Sequence, residues 1–426
     1  MMRILLLNQT FHPDVAATAQ HGMDLARHLV SRGHQVSVIA SRSMYGEKGS
    51  ALPAFEIIDG IEIHRVGVNR FGKSGGIFGR LVDFASWYLL ALGKAVWLPK
   101  FDVVVPFTTP PFVVLIAHLL RRYSGCRVVY WVMDLYPDVP VLHGILNERG
   151  LLTRVLERLH RRLLRRSDRV IALGRCMADR LRAKGVPDDR IALVRVWADR
   201  NEVQLQPPTA GAYRREWAID DDRFIVMYSG NFGIMHEATT LLEAAARFDA
   251  RGGDSASSTA APLFVFVGGG ARMKEARAFA EERGLGNVMF QPYQPRERLG
   301  ELLTTANAHL ISMIDGAEGL IVPCKLFGIL AAARPALFVG PKASEIARVI
   351  DETGCGDSIA TGDVNGLVAA IARLVESPAD EVEQIGYRGR RALEETYDRS
   401  LACAAIESVL VDVDREHRQR HRRAEP

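Results

Sequence analysis

Residues 213–233, YRREWAIDDDRFIVMYSGNFG, decide the fold. Polar and acidic residues give way to the apolar run FIVMYSG, which ends on a glycine turn. The helical pattern ATTLLEAAARF follows at 238–248. A short apolar run, a glycine turn and a helix together make the repeating unit of a parallel α/β sheet. The unit recurs at once: PLFVFVGGG at 262–270 leads into ARMKEARAFAEERG at 271–284. VMFQPY, AHLISMI, ALFVG and DSIA come next, with helical patterns between them.

The same unit has been used earlier in the chain. RILLLN at 3–8 reads as a fully buried strand. A helix at about 17–31 carries Leu25, Leu29 and Val30 on one face, and RGHQVSVIA supplies a turn and a second strand. IEIHRV, DVVVPF, RVVYWV and RVIAL extend the series. Residues 213–233 are therefore a restart, and the chain reads as two doubly wound α/β halves. The expected division is a first domain at 1–203 and a second at 204–395. A helix at 396–413 is expected to pack back on the first domain, ahead of a disordered basic tail at 414–426. NEVQLQPPTAGAY at 201–213 reads as a linker, and the small polar stretch at 250–262 as a flexible surface loop.

A chain of 426 residues is long for one core, which agrees with two domains. Its net charge of +4 is too small to argue for nucleic acid. Five scattered cysteines with no C-x-x-C pair point to a reduced, cytoplasmic setting and away from structural zinc. The opening MMRILLLNQTFHPD has too short an apolar run for a signal peptide. No stretch reaches the roughly 18 apolar residues of a membrane span. FASWYLLALGKAVWLP comes nearest, and reads either as a packed helix or as an interfacial one.

Three loops at strand ends carry candidate chemistry. In YSGNFGIMHEA, Gly230 and Gly233 flank Asn231 and a helix begins near His236. Glycines let backbone N–H groups approach a diphosphate, and a helix start favours the anion; a plain strand–helix turn is the alternative. In VFVGGGARMKE, Gly268, Gly269 and Gly270 bring backbone to a ligand, and Lys274 either reaches a phosphate or is an exposed helical lysine. The spacing is not that of a dinucleotide fingerprint. In EGLIVPCKLFGILAAARP, Glu318 can accept hydroxyl hydrogen bonds from a sugar and Lys325 can counter a phosphate. Pro323 suits the edge of a helix, and Gly328 begins a run of small residues. Tyr293, at the end of VMFQPY, completes the nucleoside side.

The first half offers an open loop entering a helix at Ala16, Ala17 and Thr18, then TTPP with Thr109, then WVMDLYPD with Asp134 and Asp138. A carboxylate at a strand end can orient a ligand or merely cap the next helix. LTRVLERLHRRLLRRSDR at 152–169 is a basic amphipathic helix, either a solvated face or a surface for an anionic membrane.

HPDVAATAQHGMDLARHLVSRGHQVSV, TTPPF, YWVMDLYPDV, SGNFGIMHEATTLLEAA, VGGG and VPCKLFGILAAARP together resemble the GT-B glycosyltransferases of family 4. Within that family the chain is similar to bacterial transferases of the WbuB type, which build surface polysaccharides. The resemblance covers nearly the whole chain. It implies two facing Rossmann-like domains with an interdomain cleft, the donor in the second and the acceptor in the first. It further implies a nucleotide-sugar donor, UDP-linked and N-acetylhexosamine-like, and a lipid-linked (polyprenyl-diphosphate) or saccharide acceptor. Retention of configuration and no required cofactor or metal also follow from it. The basic helix at 152–169 adds the expectation of a cytoplasmic protein in peripheral contact with the inner face of the cytoplasmic membrane. Asp134, Lys325 and Glu318 would then be catalytic. Gly230, Asn231, Gly233, His236, Gly268 to Gly270, Lys274, Tyr293, Pro323 and Gly328 would line the donor, and Ala16, Ala17, Thr18, Thr109 and Asp138 the acceptor.

The chain departs from the family in two places. The family's second glutamate falls on Gly328. Its Arg/Lys pair is replaced by Asn231 and His236. The diphosphate is therefore expected on Lys325, with His236 assisting when protonated. Two other classes remain open: a nucleotide-sugar epimerase of the same fold, and a non-catalytic nucleotide- or polyanion-binding scaffold.

Overall fold

A computed structural model describes residues 1–44, 52–71, 76–252 and 261–424, with backbone alone at 77, 78, 80, 251, 252 and 420–424. The chain divides into two compact units. The first comprises residues 1–195, 319–321 and 400–426, and the second 196–318 and 322–399.

The first unit opens with β1 (Arg3–Leu7), α1 (Ala17–Ser31), β2 (Gln35–Ser41), β3 (Phe55–Ile58) and β4 (Ile61–Val66). It continues through α2 (Gly76–Trp97), β5 (Val103–Pro106), α3 (Val114–Ser124), β6 (Arg127–Trp131) and α4 (Asp138–Leu142). It closes with α5 (Leu151–Arg166), β7 (Arg169–Ala172), α6 (Arg175–Ala183) and β8 (Ile191–Leu193). The eight strands lie in the order β3-β4-β2-β1-β5-β6-β7-β8. Every pair is parallel except β3 with β4. Ile4 to Leu7 are wholly buried, as a central parallel strand covered on both faces requires.

The second unit runs α7 (Ala212–Glu216), β9 (Ile225–Asn231), α8 (Thr239–Gly252), β10 (Leu263–Gly269), α9 (Ala271–Arg283), β11 (Val288–Gln291) and α10 (Leu299–Thr305). Then come β12 (Ala308–Ser312), α11 (Lys325–Ala331), β13 (Ala336–Val339), α12 (Glu345–Thr353), β14 (Gly356–Ile359), α13 (Val364–Glu376) and α14 (Ala379–Ala392). Its six parallel strands are ordered β11-β10-β9-β12-β13-β14.

In both sheets the chain steps outward from the first strand and then returns to that strand's other side. This reversal creates a switch point, between β1 and β5 in one sheet and between β9 and β12 in the other. Ligands of open α/β sheets bind outside the carboxyl ends of the strands at such points.

Three readings of the sequence are corrected here. The stretch at 201–213, read as a linker, lies inside the second unit and is tied to it: the buried Arg214 beside it donates to the carbonyls of Pro208, Asp220 and Arg223, and Arg334 donates to Gln206 O at 2.5 Å. The basic helix stops at Arg166, short of residue 169. It stops because Asp168 turns to accept from Val128 N, and Arg169 enters β7. The basic C-terminal stretch continues as helix to Ala424, in α15 (Arg399–Ala424). That helix belongs to the first unit from Ser400 onward, where Glu407 accepts from His28 at 2.9 Å and His34 at 3.3 Å and pairs with Arg32. Most of the polar stretch at 250–262 lies outside the described residues.

Candidate active site

The carboxyl ends of β9 and β10 run side by side, with Gly268 beside Gly230 and Gly269 beside Asn231. A side chain cannot be accommodated at this junction. A Cβ on Gly268 would lie 2.3 Å from Gly230 O, and one on Gly270 would lie 2.4 Å from Phe232 O. Gly230, Gly268 and Gly270 also take φ of +114°, +125° and +121°, open in practice to glycine alone. Phe232 N donates to Gly269 O at 2.6 Å, and Arg272 N to Phe232 O at 2.9 Å, locking the two turns together. The Phe232 ring is buried, 5.9 Å from Phe266 centre to centre. The result is a backbone floor on which polar groups of a ligand can come close. Neither α9 nor α11 has an acidic residue in its first turn to oppose an anion there.

Lys325 overhangs this floor from the other side of the switch point, as the first residue of α11. Its Nζ donates to Asn231 O at 2.9 Å and stands 5.0 Å above the Tyr228 ring. The Tyr228 hydroxyl donates to the same carbonyl at 3.1 Å. A Cβ on Gly230 would fall 3.3 Å from the ammonium, so glycine is what admits the lysine. Burial lowers the Lys325 pKa to about 8. The half-buried side chain is thus a cation at neutral pH, held where an anion on the glycine floor can meet it.

His236 is corrected. Its ring is buried between Tyr228 and Phe232, and Nδ1 donates to Ser312 O at 2.6 Å. Burial first, and then the charge of Lys325, bring its pKa to about 3. It is a neutral imidazole with the proton on Nδ1, and cannot serve as a second cation. Its Nε2 is left as an acceptor. Gly328 is also reassigned. A side chain there would meet Leu303 of α10 at 3.3 Å, so the missing side chain serves helix packing rather than a ligand.

The other donor-side residues are placed as follows. Tyr293 is 60% exposed, with its ring against Gly268 and Gly269. Gly233 follows Asn231 in the same turn, and its Cβ position is 3.0 Å from Asn231 Nδ2. Lys274 is exposed in the first turn of α9. Glu318 and Pro323 lie on the loop from β12 to α11, the glutamate half-buried and the proline buried. Tyr228 and Ser312, which position Lys325 and His236, were not singled out from sequence. Their signal is weak because both sit inside buried strands and read as core.

In the first unit, the loops after β1 and β5 are joined by Gln9 N donating to Thr109 O at 2.7 Å. Thr18 meets Thr10 through their hydroxyls at 2.9 Å, and Ala16 N donates to Asp14 at 2.9 Å, setting the entry to α1 beside the exposed Ala17. Asp134 follows β6, and its N–H donates to Thr108 Oγ1 at 3.3 Å. Burial raises its carboxyl to about 6, within reach of proton exchange at neutral pH. Asp138 is different. It pairs with the buried Lys184 at 2.8 Å, and Lys184 also holds Glu157 at 2.7 Å. Asp138 thus joins α4 to α5 and the end of α6, a structural pairing that the sequence did not suggest.

Residues 17–197 match the family model described as glycosyl transferase 4-like domain, and residues 210–392 the one described as glycosyl transferases group 1. WcaI of Escherichia coli K12, named as a colanic acid biosynthesis glycosyl transferase, is 24% identical over 391 residues, covering 88% of this chain and 93% of WcaI. WbjE of Pseudomonas aeruginosa, named as a glycosyltransferase, is 26% identical over 304 residues, 71% of this chain and 72% of WbjE. Among solved structures, HepE of Anabaena in complex with UDP-glucose superposes with a TM-score of 0.70 at 15% identity, covering 97% of this chain and all (100%) of HepE. Two Rossmann-like α/β units of this kind are the make-up of the GT-B fold.

Proposed function

Because the chain belongs to the glycosyltransferases, its first half to the 4-like and its second to the group 1 domains, we propose that it transfers a sugar with retention from a UDP-sugar, N-acetylhexosamine-like. The acceptor is a polyprenyl-diphosphate-linked or other saccharide of a bacterial surface polysaccharide, met on the inner face of the cytoplasmic membrane. The observation that carries this reading is the overhang of Lys325 above the Gly230 and Gly268 turns. It pairs a half-buried cation with a close backbone floor, which is what a nucleoside diphosphate needs. The names of WcaI and WbjE support the polysaccharide context, and the UDP-glucose complex of HepE supports the donor.

In the reaction the bond from sugar C1 to the β-phosphate oxygen breaks, and its electron pair leaves with the nucleoside diphosphate. The acceptor oxygen bonds to C1 on the same face. Its proton passes to the departing phosphate. Charge therefore grows on the diphosphate in the transition state, and Lys325 together with the turn N–H groups offsets it there. Glu318 accepts hydroxyl hydrogen bonds from the sugar, and the neutral His236 offers Nε2 as a further acceptor. Tyr293 and Gly268 to Gly270 line the nucleoside. Asp134 orients the acceptor.

The exposed arginines of α5 (Arg154, Arg158, Arg161, Arg162, Arg165 and Arg166) support contact with an anionic lipid surface. A thermal-shift panel of UDP, GDP, dTDP and their sugars, with and without magnesium, tests the donor. A metal-independent stabilisation by the UDP set is expected. No shift with any nucleotide would overturn the proposal.

A further inference from the structure

The helix α2 reverses the usual rule for a surface helix, that its outward face is polar. From Leu81 to Trp97 the outward positions are Leu81, Ala85, Leu89, Gly93 and Val96, recurring at helical spacing, with Leu90 and Trp97 beside them. Leu89 is 74% exposed and Trp97 88%. Two charged residues fall in that span: Asp83 is buried and accepts from the backbone N–H groups of Arg70 and Phe71, and the half-buried Lys94 lies one turn from Leu90 and from Trp97, on the rim of the ridge. An apolar ridge over four turns is therefore left open to water.

The surroundings state the chemistry of its partner. The helix packs on α3, which packs on α5. The exposed residues of α3 include Arg122 and Tyr123, Lys100 is exposed just past α2, and α5 presents its arginines. An apolar ridge ending in tryptophan, with tyrosine and a cationic rim beside it, matches the layered polarity of an anionic bilayer surface. A second copy of the chain would bring the same cations against themselves. The ridge also adjoins the acceptor loops, since Tyr88, next to Leu89, donates its hydroxyl to Pro111 O.

We infer that the outward face of α2 enters an anionic bilayer, with Leu89, Leu90, Val96 and Trp97 below the headgroups and the arginines of α5 at their level. The ridge then presents the loops around Thr109 to a lipid-borne acceptor. This role for the ridge rests on the transferase reading only for what the acceptor is.

The test uses the full chain and vesicles of phosphatidylcholine, with and without about 30% phosphatidylglycerol, the latter carrying brominated acyl chains. Trp97 emission should be quenched on binding, and the quenching should vanish in Trp97→Phe. Leu89→Glu should weaken vesicle partitioning at least tenfold while UDP binding is unchanged. Exchanging Arg161, Arg162, Arg165 and Arg166 for glutamine should remove the salt-sensitive part of binding. Equal partitioning by Leu89→Glu, or unquenched Trp97 in bound protein, would overturn the inference and leave α5 as the sole contact. A lipid-free dimer that Leu89→Glu dissociates would overturn it in favour of a second copy. Vesicle binding with no nucleotide response would sink the transferase reading and leave the ridge standing.

Discussion

Lys325→Ala removes a cation that the second unit holds over its paired glycine turns. The ammonium already makes a 2.9 Å hydrogen bond to Asn231 O, so it is pre-positioned, and a bound diphosphate would replace that carbonyl by a charged partner. A charge-assisted hydrogen bond is worth about 1.5–3 kcal/mol, so UDP affinity should fall about 10- to 150-fold. The pH dependence is the sharper signature. Burial sets the Lys325 pKa to about 8, and only the protonated form attracts the diphosphate. Affinity is therefore full well below that pH and is lost as pH rises through it. For one coupled proton, Kd should rise about tenfold between pH 7 and pH 9.

Calorimetric titration of UDP across that range, with the wild type, Lys325→Ala and Lys325→Arg, separates the contributions. The alanine variant should bind weakly with a shallow slope that reports UDP's own ionisations. The arginine variant, charged throughout, should share that shallow slope. A wild-type slope no steeper than that of the alanine variant, or an alanine variant that binds as tightly as wild type, would refute the assignment.

Gly268→Ala forces a Cβ to within 2.3 Å of Gly230 O at a φ of +125°. The strain should cost about 2 kcal/mol or more, lowering the melting midpoint by about 5 °C or more and abolishing UDP stabilisation; a normal midpoint would mean that the two turns are not packed as described. Asp134→Asn should reduce turnover by about tenfold or more while circular dichroism and melting stay unchanged, as a carboxyl held near neutrality by burial is lost. Asp138→Asn should do the reverse, lowering stability by about 1–3 kcal/mol through the Lys184 cluster while Kd for UDP is unmoved. Exchange of the two phenotypes would show that the structural and acceptor roles are assigned the wrong way round.

Most strands were legible because a parallel sheet covered on both faces demands runs such as LLL at 5–7 and FVFV at 264–267. Strand β3 was not legible. It is four residues on the sheet edge with Phe55 and Ile57 outward, so its pattern offers no buried face. The glycine turns could be read because positive φ and close approach leave a residue type behind. The partners of Lys325 could not. Asn231 lies 94 positions away, and the pair forms only because β12 returns beside β9. The neutrality of His236 depends on two aromatic rings and the Ser312 carbonyl closing around it. The pairing of Asp138 likewise depends on where α6 delivers Lys184. Sequence marks which residues can bear charge, whereas solvation and partners, which fix what the charge does, come from packing.

Hydrogen–deuterium exchange of the full chain with and without saturating UDP tests the central claim most directly. Slowed exchange is predicted in the segments 228–236, 265–272 and 318–328, which carry the paired glycine turns and the loop leading into Lys325. Protection absent from all three, or present only elsewhere in the chain, would contradict the donor site proposed at the β9–β12 switch point.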